Sequence, residues 1–269
     1  ATQMTGFVTS GCNDDQNYAT LITLPFTFTY GGTGFTTLGI SDNGYAKLGG
    51  TTTTYYSSVL GSLTNCLAVF ARDLYGCTAN GANLVYRVDG ISPRRTVTVE
   101  WLQWGYYSGG LNEQSFELQL QETTNTIYFM YGPHPGATAN TMNVGINGSV
   151  VSDINARTTT TNWAATTAGT STSTMTVSGT VFPARGLTYT FAVPTAPTIT
   201  TYTPSTNLCT GGGTSIAITG TNFTGATAVK FNGVDEYPKN VATLSVALLA
   251  EVIGSNELPP VSVSCSFIK

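Results

Sequence analysis

Apolar and polar residues alternate with a period of two along much of this chain, and that rhythm limits what it can fold into. In "LPFTFTYGG" the aromatics Phe26, Phe28 and Tyr30 share one side of an extended backbone, while Thr27 and Thr29 share the other. The aromatic side is expected to be core. Gly31-Gly32, Asp42-Asn43-Gly44 and Gly49-Gly50 punctuate the runs, and Asn43-Gly44 supplies the positive φ of a tight hairpin. Farther on, Val97, Val99 and Trp101 face one way with Thr98 and Glu100 opposite. Phe116, Leu118 and Leu120 then point inward, a Thr-Thr-Asn turn follows, and a second strand runs through Ile127 and Phe129. Residues 157–180 are Thr-rich enough to be either a flexible loop or a polar strand pair; Trp163 and Met175 favour partial order because they offer something to bury.

Composition supports an all-β chain. Only 9% of the residues are charged, against about 25% in ordinary domains, and Thr and Gly take the polar and turn positions. Thr is β-branched, which suits a pleated surface and weakens helices. A length of 269 residues allows two domains. Pro194, Pro197 and Pro204 interrupt any continuous ladder, so a boundary is expected near residue 194, dividing the chain into 1–193 and 194–269. The first region reads as a larger, jelly-roll-like β-sandwich and the second as a small immunoglobulin-like sandwich. Residues 241–254 are helical by composition, but a strand suits the sandwich context better.

The net charge of −4 leaves no basic surface for a phosphate backbone, and the longest Lys/Arg cluster is Arg94-Arg95, so nucleic acid is not an expected partner. No run of about 18 apolar residues exists to span a membrane. The opening "ATQMTG" fits a mature product from which a signal peptide has been removed, and low Lys with abundant Thr and Tyr fits a secreted surface. The five cysteines include no Cys-x-x-Cys pair and there is a single histidine, which argues against structural zinc and for disulfides. Cys66 and Cys77 flank "LAVFARDLYG" and Cys209 and Cys265 bracket the C-terminal region, so these are the expected pairs. Cys12 is left over, either buried or free, or an intermolecular link.

Few residues suggest chemistry. His134 sits in "GPHPG", which describes an exposed loop, and no Gly-x-Ser-x-Gly elbow accompanies it, so no catalytic residue is expected. Glu100, Glu117 and Glu122 could face a cleft as a glycosidase pair would, yet they alternate with apolar residues as a solvated face does. Asp14, Asp15, Asp42 and Asp73 offer oxygen ligands suited to calcium without the EF-hand spacing; a solvated turn and a loop cap are the competing readings. Tyr55-Tyr56, Trp101, Trp104, Tyr106 and Tyr107 cannot all point inward on regular strands; an exposed one could be a platform for a sugar ring or a partner, and the competing reading, slightly favoured, is core packing for one of each pair with an ordinary interface for the other.

The segment "PTITTYTPS…GGGTSIAITGTNFTGATAVKFNGV" resembles an IPT/TIG immunoglobulin-like domain in its Pro-x-Ile start, Gly-Gly-x-x-Ile-x-Ile-x-Gly-x-Asn-Phe core and Val-x-Phe-Asn-Gly hairpin. Beyond Asp235 the chain departs from that pattern. The earlier segments "LPFTFTYGG", "LGISDNGYAKLG", "AVFARDLYG", "SPRRTVTVEW", "FELQLQETTNTIYFMYG" and "FPARGLTYTF" resemble the nidogen-like β domains of secreted Bacteroidetes proteins. The resemblance implies non-catalytic domains that serve as spacers, adhesin parts or partners of carbohydrate-active domains. With the low charge, the Thr-rich surface, the leftover Cys12 and the edge strands of two modules, the expectation is a secreted, non-catalytic protein of the cell surface, serving in adhesion or as a structural subunit of a filament, with the segment before Cys12 as a donor strand. Its partners would be other copies of itself or other surface proteins. The competing reading is a carbohydrate-binding module of a larger secreted protein.

Overall fold

The computed structural model describes residues 1–4, 11–15, 21–53, 57–107, 110–134, 139–192, 198–203, 215–221 and 261–264. The chain divides into two compact units, Ala1–Val193 and Pro194–Lys269. In chain order the strands of the first are β1 (Thr2–Gln3), β2 (Cys12–Asp14), β3 (Ile22–Tyr30), β4 (Thr33–Ser41), β5 (Tyr45–Leu48), β6 (Cys66–Ala71), β7 (Leu74–Cys77) and β8 (Asn83–Asp89). They continue with β9 (Thr96–Tyr106), β10 (Gly110–Gln121), β11 (Ile127–Tyr131), β12 (Asn140–Asn147), β13 (Ile154–Thr158), β14 (Thr167–Gly169), β15 (Met175–Val177) and β16 (Thr188–Phe191). One sheet runs β1-β8-β9-β10-β11-β16, with β7 also pairing β9 and β2 pairing β7; the other runs β14-β13-β12-β6-β5-β4-β3, with β15 on β12. The named strands pair antiparallel throughout both sheets.

The alternation decides which faces meet. Ile22, Leu24, Phe26 and Phe28 of β3 are buried while Thr23, Pro25, Thr27 and Thr29 are exposed. Pro25 sits on the terminal strand of its sheet, where a missing N–H breaks no inner ladder. Across the sandwich, Val97, Val99 and Trp101 of β9 and Phe116, Leu118 and Leu120 of β10 join Leu38, Ile40 and Val69 of the other sheet in one core. Phe70 stacks on Phe116 at 5.2 Å and on Trp163 at 5.9 Å, and burying each such side chain contributes roughly 2–3 kcal/mol. Hydrogen bonds among the described residues bolt the sheets together: Trp101 Nε1 donates to Ser41 O at 3.0 Å, and the Tyr131 hydroxyl to Val69 O at 2.8 Å. In the β4–β5 turn, Gly44 has φ 75°, and a Cβ there would lie 2.3 Å from Phe70 O, so only glycine fits.

The cysteines pair differently from the expectation. Cys12 bonds Cys77, opposite it across the β2–β7 register, and Cys66 is a free, buried thiol. The expected Cys66–Cys77 bridge is absent because Cys77 is taken by Cys12; Cys12 is neither free nor an intermolecular link. Burial pushes the Cys66 thiol up, away from reactivity. The expected Cys209–Cys265 pair and residues 241–254 lie outside the described residues.

The aromatic platform is also corrected. Trp101 and Trp104 are fully buried and Tyr106 nearly so, leaving Tyr107 exposed. Residues three apart should face opposite sides of a strand, but Gln103 takes φ 53° and the β9–β10 register shifts between Gln114 and Phe116. That irregularity resets the alternation, so both tryptophans point inward. Tyr55 and Tyr56 lie outside the described residues. The Thr-rich tract is ordered: Trp163 and Met175 are buried, and β13, β14 and β15 pair within their sheet.

In the second unit, β17 (Thr198–Thr203), β18 (Ser215–Thr221) and β19 (Val261–Ser264) form an antiparallel sheet, with Tyr202 opposite Ile218 and Ile216 opposite Val263. Among the described residues no helix is long and apolar enough to cross a membrane.

Candidate functional site

The outward positions of β8, β9 and β10 set the chemistry of the sheet's other face. Glu100 and Glu117 stand directly opposite each other in the β9–β10 register, a like-charge pairing that costs stability unless a cation intervenes. Arg87 of β8 intervenes. Its guanidinium reaches Asp89 at 3.0 Å, Glu117 at 3.3 Å and Glu100 at 3.5 Å, and Gln119 Nε2 donates to Glu117 at 3.0 Å. One cation thus serves three carboxylates. Burial, and then the charge of Glu117, push the Glu100 carboxyl above its ordinary value, and Arg87 offsets only part of the rise.

Above this row opens a cleft of about 860 Å³, lined by Glu100, Leu102, Glu117, Met130, Phe182 and Arg185 among others. Its wall is pinned to the sheet: Gly132 N donates to Ser115 O at 2.7 Å, and Gly186 N to Tyr131 O at 2.8 Å. His134 belongs to that wall. It is 9% exposed rather than out on an open loop, because its ring lies flat against Phe182, 5.6 Å between centroids and 9° from parallel. Burial holds its imidazole down at about 4, so it is neutral near pH 7. Phe182 remains 38% exposed.

Glu122 does not join the other two glutamates. Arg95 grips it from Nε at 2.8 Å, from its terminal nitrogen at 2.6 Å and from its backbone N–H at 3.0 Å. That fork holds the carboxyl down at about 2. Among the described residues the three acids expected to face a cleft thus divide into one closed ion pair and one pair sharing a partner.

A second acidic group forms where the disulfide clamps β2 to β7. Asp14 faces Tyr75 in that register, and the carboxylates of Asp14, Asp15 and Asp73 approach within 4.8 Å of one another. Asn43 Nδ2 donates to Asp15 at 2.9 Å, while Asn43 Oδ1 accepts from Leu74 N at 2.8 Å. Burial, then the charges of Asp15 and Asp73, raise the Asp14 carboxyl. Three carboxylate oxygens are the donor type a hard cation such as calcium takes. Asp42, the fourth expected ligand, is fully buried in the β4–β5 turn and outside this group.

Sequence reasoning named Glu100, Glu117 and His134 but missed Arg87, Leu102, Met130, Phe182 and Arg185. The one usable signal was the alternation around "LVYRVDG", which puts Val85 and Arg87 on the face that Glu100 shares.

Comparison with known proteins places this geometry in a family. The family model described as NIDO related matches residues 1–194, and the IPT/TIG domain model matches residues 197–250. No curated protein and no solved structure matches the chain. Both resemblances read from the sequence are borne out, and the chain belongs to the NIDO related family, carrying an IPT/TIG domain after its family region.

Proposed function

We propose that this chain is an extracellular, non-catalytic protein of the cell surface that serves in adhesion or as a structural subunit. NIDO-related and IPT/TIG domains are non-catalytic types, compatible with extracellular adhesion or structural roles. The observation that carries the reading is their succession in one chain bearing a Cys12–Cys77 disulfide, a bond that persists in oxidising surroundings. Glu122 is closed by Arg95 and His134 is neutral in a wall of rings, which supports binding over turnover.

Sheet edges supply a route to self-association. The segment before Cys12 is used within its own chain: Thr2 and Gln3 pair with Tyr86 and Val85, and Met4 is buried. Donation of that segment to a second copy would have to displace these contacts. Among the described residues, β1 reaches only part of β8, and the nearby Val88 and Ile91 are 44% and 83% exposed. The edge there is the better place for a second copy to add a strand.

Labelling of intact cells of the source organism with antibody against the chain, together with attachment assays on a strain lacking it, tests the reading. Surface labelling and loss of attachment or of surface filaments are expected. Labelling only after lysis, or a hydrolytic activity that Glu117→Gln abolishes, would overturn it.

A further inference from the structure

We propose that the cleft over β9, β10 and β11 is a glycan-binding site, taking a neutral sugar ring whose hydroxyls donate to Glu100 and Glu117. The inference rests on the extracellular adhesion reading and names a ligand class for it.

The floor is rich in acceptors. Glu100 and Glu117 line it and share the single guanidinium of Arg87 at 3.5 and 3.3 Å with Asp89, which lies outside the lining, at 3.0 Å, and each carboxylate has about four acceptor positions. Arg87 and Gln119 together fill only some of them. The exposed lining differs: Arg185 offers donors alone, and the Gln103 amide both donors and an acceptor. Leu102, Met130 and Phe182 supply apolar lining, the last with 38% of its surface open.

An occupant must therefore donate to the carboxylates, accept from Arg185 and rest an apolar side on the apolar lining. A hydroxyl both donates and accepts, and a pyranose carries hydroxyls around a ring whose C–H face packs on an aromatic. An ammonium group, as on a lysine side chain, matches the carboxylates but leaves Arg185 without an acceptor. A phosphate or sulfate ester would face the Glu100–Glu117 pair with like charge. The cleft of about 860 Å³ lies inside the roughly 300–1,000 Å³ range of small-ligand sites. Carboxylates, an amide, a guanidinium and one open aromatic around one floor thus point to a neutral sugar.

The test is calorimetric titration of the full chain with cello-, laminari-, xylo-, malto- and chitohexaose, and with heptalysine as the contrasting probe. One or more of the hexaoses is expected to bind. Glu117→Gln and Phe182→Ala should each weaken that binding about tenfold or more, the usual effect of losing a charged hydrogen bond or a packed ring. Tyr107→Ala, an exposed aromatic outside the cleft lining, should leave binding unchanged. If Phe182→Ala lowers the melting temperature, Arg185→Ala replaces it, since that side chain is exposed. The proposal is overturned if no hexaose binds at about 10 mM, a bound weaker than any useful recognition, if binding survives the cleft variants, or if only heptalysine binds. A negative titration beside a positive attachment assay removes the glycan site and keeps the adhesion reading. A negative titration beside a strain that attaches normally without the protein removes both.

Discussion

Two arginine–glutamate groups on this sheet use the same residue types to opposite ends. Near the β10–β11 turn, Arg95 spends three donors on Glu122 at 2.6–3.0 Å. On the outer face, Arg87 spreads itself over three carboxylates at 3.0–3.5 Å. The first group is saturated and acts as a local clasp. The second retains acceptors beside a cleft, and the Glu100 carboxyl is pushed up where that of Glu122 is held down. The number of donors per carboxylate, rather than the presence of a salt bridge, separates a structural pair from a binding floor.

The largest effect expected around that floor comes from its wall. The His134 imidazole, ordinarily near 6.5, titrates in the folded protein at about 4. A lowered histidine value means the unfolded chain binds the proton more readily, so stability is complete above pH 6.5 and is lost as pH falls toward 4, by up to about 3 kcal/mol. Chemical denaturation of wild type and His134→Gln between pH 7 and 4 checks this: the wild type should lose stability faster. Parallel curves would place His134 in contact with water.

Next is Arg87→Met, which leaves Glu100 and Glu117 opposed with no cation between them. A loss of about 1–2 kcal/mol at pH 7 is expected, discounted because all three side chains are partly exposed. The loss should shrink on acidification or in Glu117→Gln background, and an equal loss in both backgrounds would mean that Arg87 acts through packing alone.

How far such effects could be foreseen depends on what the residues needed. The buried faces of β3, β9 and β10 were readable because a period of two is a property of the backbone, and Phe26, Phe28, Val97, Val99, Phe116 and Leu118 lie where it puts them. The inward turn of Trp104 came from one residue, Gln103, whose positive φ shifts the phase without any glycine to announce it. Cys12–Cys77 was hidden because β2 finds β7 only once both join the sheet. The cleft was hidden for the same reason: Glu100, Glu117, His134 and Phe182 line it from segments that only the folded sheet brings together. Asp14, Asp15 and Asp73 were named from residue type, and the sheet brings them together.

That acidic group gives a smaller effect that sharpens the contrast. Asp15→Asn removes one of three crowded carboxylates and keeps an oxygen for Asn43 Nδ2. In chelator it should gain up to about 1 kcal/mol by melting temperature, and a loss would show that the group is not repulsive.

Side-chain carboxyl NMR titration of Glu100 and Glu122 in the same sample tests the comparison most directly. Glu100 should titrate above its ordinary 4.5 and Glu122 at about 2. By linkage the two act oppositely: Glu122 stabilises the fold above pH 4.5 and loses that contribution as pH falls toward 2, whereas the raised Glu100 carboxyl favours the fold at low pH and costs stability as pH rises through its folded value. Glu100 moving down toward 4.5 in Glu117→Gln would confirm that the charge of Glu117 bears on it across the strand pair. Glu100 and Glu122 titrating together at or below 4.5 would contradict the account, because the floor of the cleft would then be as fully paired as the clasp.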